Sequence, residues 1–158
     1  MSVRPEMDVS VRLATNEDAP GVAKVLIESR LAFLPFAPSA HPQHEVRQWV
    51  AEYLIPTGRV HIAEIGGQAV AAMALSEDDA QFWIDQLYVL PGYESRGIGT
   101  KLLQLAHTTL GRPIRLYTFQ ANTGARRFYE RHGYRAIEFT DGQSNEEKCP
   151  DVLYQLEA

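Results

Sequence analysis

Hydrophobic residues recur along this chain at two different spacings, which predict strands and helices in a mixed order. Apolar and polar residues alternate in Val9–Leu13, a pattern typical of a half-buried strand. Val22, Val25 and Leu26 instead recur at helical spacing, which predicts a helix that runs towards Phe33. The whole chain gives the order β, α, α, β, β, β, α, β, α, β, β. About seven strands and four helices predict an α+β sandwich, in which a mixed sheet is flanked by helices.

Turn and loop residues delimit the predicted elements. Gly66–Gly67 predicts a two-residue hairpin turn, and the charged run Glu77–Asp79 predicts a solvated turn. Three prolines break residues 33–44 into a loop between the first two helices. Residues 141–151 form a second long loop, rich in acidic side chains, before the last strand. Strands are predicted at 9–13, 60–65, 68–75, 82–90, 114–119, 134–139 and 152–156, and the later helices at 45–54, about 101–110 and 122–132.

Composition and charge narrow the class of protein. The 158 residues suit one domain, predicted over residues 9–158 after a loose leader at residues 1–8. The net charge of −5 and the lack of a basic tract argue against nucleic acid as a partner. A single cysteine, Cys149, excludes an internal disulfide framework and predicts a cytoplasmic protein. No apolar run approaches the length of a membrane span, so we expect no membrane association.

The stretch from Phe82 to Leu103 carries the first candidate for chemistry. An aromatic and β-branched strand is followed by a turn that contains Gly92, Gly97 and Gly99, and then by helical periodicity. In such a turn several backbone N–H groups and a helix N-terminus converge on one point, which suits a phosphate group.

Several interpretations of this turn compete. A nucleotide P-loop requires Lys where the chain has Ile98, and a dinucleotide fingerprint requires a third glycine where it has Leu102. An acyl-CoA turn has the pattern Gln/Arg-x-x-Gly-x-Gly/Ala, which Gly97 and Gly99 satisfy, although Glu94 replaces Gln or Arg. An ordinary tight turn would need only the two glycines.

A second motif further along the chain favours the acyl-CoA turn. Residues 122–134 read Asn-Thr-Gly-Ala-Arg-Arg-Phe-Tyr-Glu-Arg-His-Gly-Tyr. This run resembles the Asn-x-x-Ala-x-x-Phe-Tyr-x-x-x-Gly-Phe signature of the GNAT acetyltransferase family. The two motifs, in this order, identify the chain as a member of that family over about Val9 to Leu156.

The resemblance implies acetyl-CoA as co-substrate, no metal, and a GNAT-like fold. It implies that the strand ending at Val89 splays from strand 114–119, so that the pantetheine arm bonds to the free strand edge. The glycine turn would hold the pyrophosphate. The residues implied to bind the cofactor are Leu87, Tyr88, Val89, Ser95, Arg96, Gly97, Ile98, Gly99, Thr100, Asn122, Arg126 and Tyr129.

The resemblance also implies catalytic roles. Tyr129 would protonate the departing CoA thiolate as general acid; the alternative is that it packs beside Phe128. Asn122 would bond the pantetheine arm, cap its helix, or both. Several family members carry a glutamate five residues before this asparagine, where this chain has Tyr117. Asp85 is a substitute candidate for the general base, and an ordinary strand residue is the alternative.

The two long loops are expected to border the acceptor pocket, because loops beside a cleft commonly carry specificity. The acidic residues of the 141–151 loop would favour a cationic amine, although a solvated hairpin loop would have the same composition. The candidate acceptor-binding residues are Phe33, Phe36, His41, Glu146 and Glu147.

The function predicted from the sequence is N-acetylation of a primary amine on a small molecule, by direct transfer in a ternary complex. Cys149 lies outside the motifs and offers no convincing nucleophile. A protein N-terminus or lysine as acceptor, and a non-catalytic acyl-CoA-binding domain, are the alternatives. The oligomeric state stays open, with a homodimer among the possibilities.

Overall fold

The computed structural model describes residues 8–157, and the predicted leader, apart from Asp8, lies outside the described residues. Eleven regular elements follow the predicted order, which is therefore confirmed. The strands are β1 (Ser10–Leu13), β2 (Val60–Ile65), β3 (Gln68–Asp78), β4 (Gln81–Val89), β5 (Ile114–Phe119), β6 (Arg135–Phe139) and β7 (Asp151–Leu156). The α-helices are α1 (Ala19–Phe33), α2 (Gln43–Trp49), α3 (Ile98–Thr109) and α4 (Thr123–Arg131).

The strands form one seven-stranded sheet in the order β1-β2-β3-β4-β5-β7-β6. Every neighbouring pair is antiparallel except β4 and β5, which are parallel, so the predicted mixed sheet is confirmed. All residues of β3 from Val70 to Leu75 are buried, which requires cover on both faces of the sheet. Helices α1 and α3 both pack on β3 and β4 and supply this cover. Within residues 8–157, no helix has the length and apolarity that crossing a membrane demands.

The parallel pair β4–β5 is incomplete, and this feature positions the site. The two strands pair only at Phe82–Ile114 and Trp83–Arg115. Beyond these pairs β4 stays bonded to β3 as far as Val89, while β5 pairs with β7 over its whole length. The edge of β4 that faces β5 is therefore unpaired from Ile84 onward. The separation of these strands, which the family resemblance implied, is confirmed.

Two local predictions differ from the structure. Only Asp79 of the charged run Glu77–Asp79 lies in the turn, because β3 extends to Asp78 and Asp78 pairs with Gln81 of β4. Asp79 and Ala80 make the turn, with φ angles of 50° and 63°, the positive values that a tight two-residue hairpin requires. The helix predicted to Leu54 is regular only to Trp49 and continues as a π-helical turn over Val50–Leu54.

A cluster of charged residues fixes the start of α1 against β1 and β2. The Arg12 guanidinium donates hydrogen bonds to Asp18 at 2.8 Å and to Glu64 at 2.9 Å. Asp18 also accepts a 2.7 Å bond from the backbone N–H of Thr15, in the turn that leads into α1. The hydrogen bond from Arg12 outweighs the opposing effect of desolvation and lowers the pKa of Asp18 to about 2.

Replacing Asp18 by Asn is expected to lower the melting temperature near neutral pH by roughly 1–4 °C, because Arg12 loses a charged partner. A carboxyl whose folded-state pKa is depressed stabilises the fold above its unfolded pKa, and the contribution disappears as the pH falls through the folded pKa. The difference in melting temperature between wild type and variant should therefore shrink as the pH falls from about 4 to about 2. Thermal unfolding followed by circular dichroism measures it, and a difference that stays constant over this range would contradict the interpretation.

Candidate active site

A cleft of about 1140 Å³ opens where β4 and β5 separate. It is lined by both strands, the turn before α3, α4, the end of α1, β6 and the β6–β7 loop. Within residues 8–157 no group of three or more His, Cys, Asp or Glu side chains is arranged to hold a metal ion.

The unpaired edge of β4 presents backbone donors to the cleft. The N–H of Leu90 donates to the Val70 carbonyl on β3 at 2.8 Å. Because successive N–H groups of a strand point to opposite sides, those of Leu87 and Val89 are directed into the gap beside β5. The Val89 carbonyl is already occupied, since it accepts a 2.8 Å bond from the Ser29 hydroxyl of α1. The open edge is therefore richer in free donors than in free acceptors.

Two glycines of the turn are required for different reasons. Gly97 precedes α3 in the left-handed conformation, with φ 78°, and a Cβ added there would meet no atom within 4 Å. Its role is conformational, and the neighbouring Ser95 is also left-handed, with φ 63°. Gly99 lies in the first turn of α3, where a Cβ would come within 3.3 Å of the Phe128 ring. The close packing of α3 on α4 therefore adds a reason for Gly99 besides phosphate approach.

The side chains around this turn divide into those that face the cleft and those that do not. The Glu94 carboxylate lines the cleft and accepts a 2.6 Å bond from the Gly92 N–H, so it folds back over its own turn. Thr100 also lines the cleft, and its hydroxyl lies 3.3 Å from Nε2 of His132. Arg96 stacks over the Tyr93 ring, and Ile98 is buried in the core; neither lines the cleft.

Tyr129 lies at the cleft with its hydroxyl free. The residue is only 8% exposed, and its ring packs against those of Phe128, Tyr134 and Tyr154. No other group within residues 8–157 hydrogen-bonds to its hydroxyl, although the residue lines the cleft. Burial, and then the nearby Tyr134 and Tyr88, raise the pKa of Tyr129 well above its usual value. The phenol therefore stays protonated at neutral pH, with its proton available to a group in the cleft.

The two polar residues predicted on α4 have different surroundings. Asn122 lines the cleft and accepts a 3.1 Å bond from the Ala125 N–H, so its predicted capping role is confirmed. Arg126 points away: its guanidinium donates to the Tyr154 hydroxyl at 3.1 Å and lies over the Phe139 ring. The structure does not bring Arg126 to the cleft.

A bulge sets the position of Asp85. Leu75 pairs with Ile84 and Ala74 pairs with Gln86, which leaves Asp85 as the extra residue of β4. Its side chain is exposed, lines the cleft and has no hydrogen-bond partner within residues 8–157. Its side chain is therefore free at the cleft, and its role as general base stays a prediction.

The two long loops meet beside the cleft, as expected. Arg30 and Glu147 form an ion pair at 3.3 Å, and His41 and Glu146 lie 3.3 Å apart. The Phe36 ring also packs edge to face on Phe119 of β5. Of the predicted acceptor residues only Phe33 and Glu147 line the cleft, whereas Phe36, His41 and Glu146 hold the loops together at its border.

The far side of the cleft contains one acidic residue that the sequence prediction missed, Glu138, beside Asp151 of the predicted acidic loop and Tyr117. Glu138 of β6 and Asp151 of β7 both line it. Asp151 accepts hydrogen bonds from the Thr140 hydroxyl and, at 3.1 Å, from the Asn145 amide. Tyr117 of β5 is 51% exposed and stacks on Trp83, with ring centroids 5.8 Å apart. The register of three strands brings Glu138 to Tyr117 and Asp151, and no local sequence pattern could have revealed Glu138.

The sequence profile of the acetyltransferase (GNAT) family matches residues 24–134, well over half of the chain. This chain belongs to the GNAT acetyltransferase family. The family resemblance predicted from the two motifs is confirmed, and a GNAT acetyltransferase is an acyltransferase. No curated protein sequence matches the chain significantly.

Solved GNAT structures share this fold. The PaiA N-acetyltransferase from Thermoplasma acidophilum, in complex with coenzyme A, is 20% identical, with a TM-score of 0.77 over 96% of this chain and 100% of that chain. A GNAT acetyltransferase from Bacillus cereus is 13% identical, with a TM-score of 0.75 over 95% and 97%. Arabidopsis thaliana Naa50, in complex with the bisubstrate analogue CoA-Ac-MVNAL, is 19% identical, with a TM-score of 0.69 over 95% and 99%. These likenesses confirm the GNAT-like fold.

Replacing Glu94 by Gln in this GNAT acetyltransferase is expected to tighten CoA binding by about two- to fivefold at low salt, because a carboxylate beside the phosphate turn repels phosphate. The amide oxygen of Gln can still accept the bond from Gly92. Calorimetry with CoA measures the change, and pantetheine, which lacks phosphate, is the control ligand and should bind both proteins equally. Unchanged or weaker CoA binding in the variant would show that the carboxylate is not a repulsive element.

Proposed function

We propose that this GNAT acetyltransferase transfers the acetyl group of acetyl-CoA to the primary amine of a small molecule, by direct transfer in a ternary complex. The observation that carries the proposal is the unpaired edge of β4, which lies in the same cleft as the free Tyr129 hydroxyl. A strand edge with unsatisfied N–H groups binds an extended amide chain, and a phenol proton serves a departing thiolate.

The cleft residues fit acetyl-CoA. The N–H groups of Leu87 and Val89 would bond carbonyl oxygens of the pantetheine arm and of the thioester, where they would stabilise the developing oxyanion. The left-handed turn at Gly97 and the N-terminus of α3 would receive the pyrophosphate. Asn122 uses its side-chain oxygen as a helix cap, which leaves its amide N–H groups to donate to the arm.

The proposed reaction needs no covalent enzyme intermediate. The neutral amine attacks the thioester carbon, and as the tetrahedral intermediate collapses the C–S bond breaks and Tyr129 donates its proton to the departing thiolate. The acylated nitrogen loses its extra proton, which returns to the Tyr129 oxygen directly or through water. Cys149, the one cysteine of the chain, does not line the cleft, which favours direct transfer. Asp85 is the candidate that would take a proton from the incoming ammonium, directly or through water.

A small acceptor is favoured by the contacts between the segments that border the cleft. The contacts Arg30–Glu147, His41–Glu146 and Phe36–Phe119 join α1 and the α1–α2 loop to the β6–β7 loop and to β5. A border joined in this way suits a compact molecule better than an extended protein segment. A peptide acceptor is the second candidate, because Naa50, which has the same fold, is known in complex with an analogue that includes a peptide.

Release of free thiol from acetyl-CoA tests the proposal. The full chain is incubated with a panel of small primary amines and, in parallel, with peptides that have free N-termini or lysines. Amine-dependent thiol release with the small amines is expected. Preference for peptides would support the second candidate, and CoA binding without turnover on any acceptor would indicate a non-catalytic binding domain.

Replacing Tyr129 by Phe keeps the ring and removes only the hydroxyl group. General acid catalysis typically contributes about 10²–10⁴-fold, so kcat should fall by that order while the affinity for acetyl-CoA changes little. Tyr53→Phe is the matched control, because Tyr53 is 64% exposed and lies outside the cleft. An unchanged kcat, under conditions where the chemical step limits the rate, would make Tyr129 a packing residue.

A further inference from the structure

We propose that the acceptor carries a second cationic nitrogen, held by the Tyr117 ring and the Glu138 carboxylate while the first nitrogen is acetylated. The inference rests on the proposed function, because it specifies the substrate class of the same cleft. It assigns Tyr117 and Glu138 as specificity-determining residues.

Strand register brings the two residues onto one face. Leu153 of β7 pairs with Tyr117 on one side and with Glu138 on the other. Residues directly opposite one another in antiparallel strands point to the same face, so all three side chains share the acceptor face of the sheet. Leu153 is only 6% exposed and forms an apolar floor between them. Tyr117 and Glu138 both line the cleft.

The Tyr117 ring provides a fixed aromatic surface. One face lies on Trp83, with the rings 8° from parallel and their centroids 5.8 Å apart. The residue is nevertheless 51% exposed, so the opposite face and the ring edge are open to the cleft. An ammonium group that approaches such a face is attracted by the negative potential of the ring.

Glu138 supplies the charge. Its exposed carboxylate has no hydrogen bond or ion pair with any other residue between 8 and 157. The other acidic residues on this side are engaged, since Glu147 pairs with Arg30 and Asp151 accepts bonds from Thr140 and Asn145. Burial, and then the negative charges of Asp151 and Glu138, raise the pKa of Tyr117 against the opposing positive charge of Arg115, so both carboxylates act on the ring.

The cleft offers less to an acceptor with a carboxylate. Arg115 and Arg30 lie on this side. Arg115 does not line the cleft, and its Nε donates to Gln155 at 2.6 Å. Arg30 lines the cleft, and its terminal nitrogens already bond to the Tyr88 hydroxyl, the Ala37 carbonyl and Glu147. Only its buried Nε lacks a partner. A second ammonium group is therefore better matched to the acceptor face than a carboxylate.

Three acceptors of matched length test the charge requirement. Cadaverine carries two amines, pentylamine one, and δ-aminovalerate one amine and a carboxylate. We expect kcat/KM for cadaverine to exceed that for pentylamine by about tenfold and δ-aminovalerate to be the poorest. Equal use of cadaverine and pentylamine, or preference for δ-aminovalerate, would overturn the proposal.

Substitutions of Glu138 and Tyr117 test whether these two residues produce the preference for cadaverine. Glu138→Gln and Tyr117→Leu should each reduce the ratio of kcat/KM for cadaverine to kcat/KM for pentylamine towards one. Tyr117→Phe keeps the ring and should retain most of this ratio. Glu77→Gln is the charge-matched control, because Glu77 lies outside the cleft beside Arg59. If Glu138→Gln lowers kcat/KM for both amines equally, Glu138 acts at the reacting nitrogen and the proposal fails.

Equilibrium binding separates this inference from the proposed function. Calorimetry of cadaverine with the CoA-saturated protein should give a dissociation constant about tenfold lower for wild type than for Glu138→Gln. If that difference is found but no amine is acetylated, the proposed function fails and the second-cation site stands. If amines are acetylated but cadaverine binds the two proteins equally, or does not bind, the inference fails alone.

Discussion

The structure depends most on the early separation of β4 from β5. A buried backbone N–H without a partner is costly, so a gap lined by such groups must face water or a ligand. Each strand has a full partner on its other side, β3 for β4 and β7 for β5, and the sheet therefore remains continuous while the gap stays open. The cleft is thus a consequence of strand pairing rather than of a deformable loop.

Neighbouring elements keep the free edge of β4 in place. Ser29 of α1 is buried and bonds the Val89 carbonyl, so the end of the strand is tied to a helix packed on the core. At the other end of the gap the bulge at Asp85 changes the direction of the strand just after its last contact with β5. Leu87 and Val89 lie between these two fixed points, which preorganises their N–H groups for an extended ligand.

Much of the fold, and the turn and helix cap that we assign to the cofactor, could be predicted from the sequence because their signals are local. The alternation and the helical spacing of apolar residues predicted the order of the elements. Gly97 lies in a turn and Asn122 caps a helix, and both features involve only residues nearby in the sequence. The acceptor half could not be predicted in this way, since Tyr117 and Glu138 meet only through the register of β5, β7 and β6. In the same way, nothing local distinguishes Arg126, which turns away from the cleft, from Asn122, which lines it.

The difference in predictability between the two halves of the cleft has a physical origin. The cofactor half is formed largely by backbone groups, whose positions depend on pairing and on φ angles, so a departure such as Glu94 leaves its geometry unaltered. The acceptor half is formed by side chains on strands whose pairing needs no particular residue on the cleft face. Strand pairing therefore does not fix Tyr117 and Glu138, and the proposed acceptor site lies where the fold imposes the weakest constraint on side-chain identity.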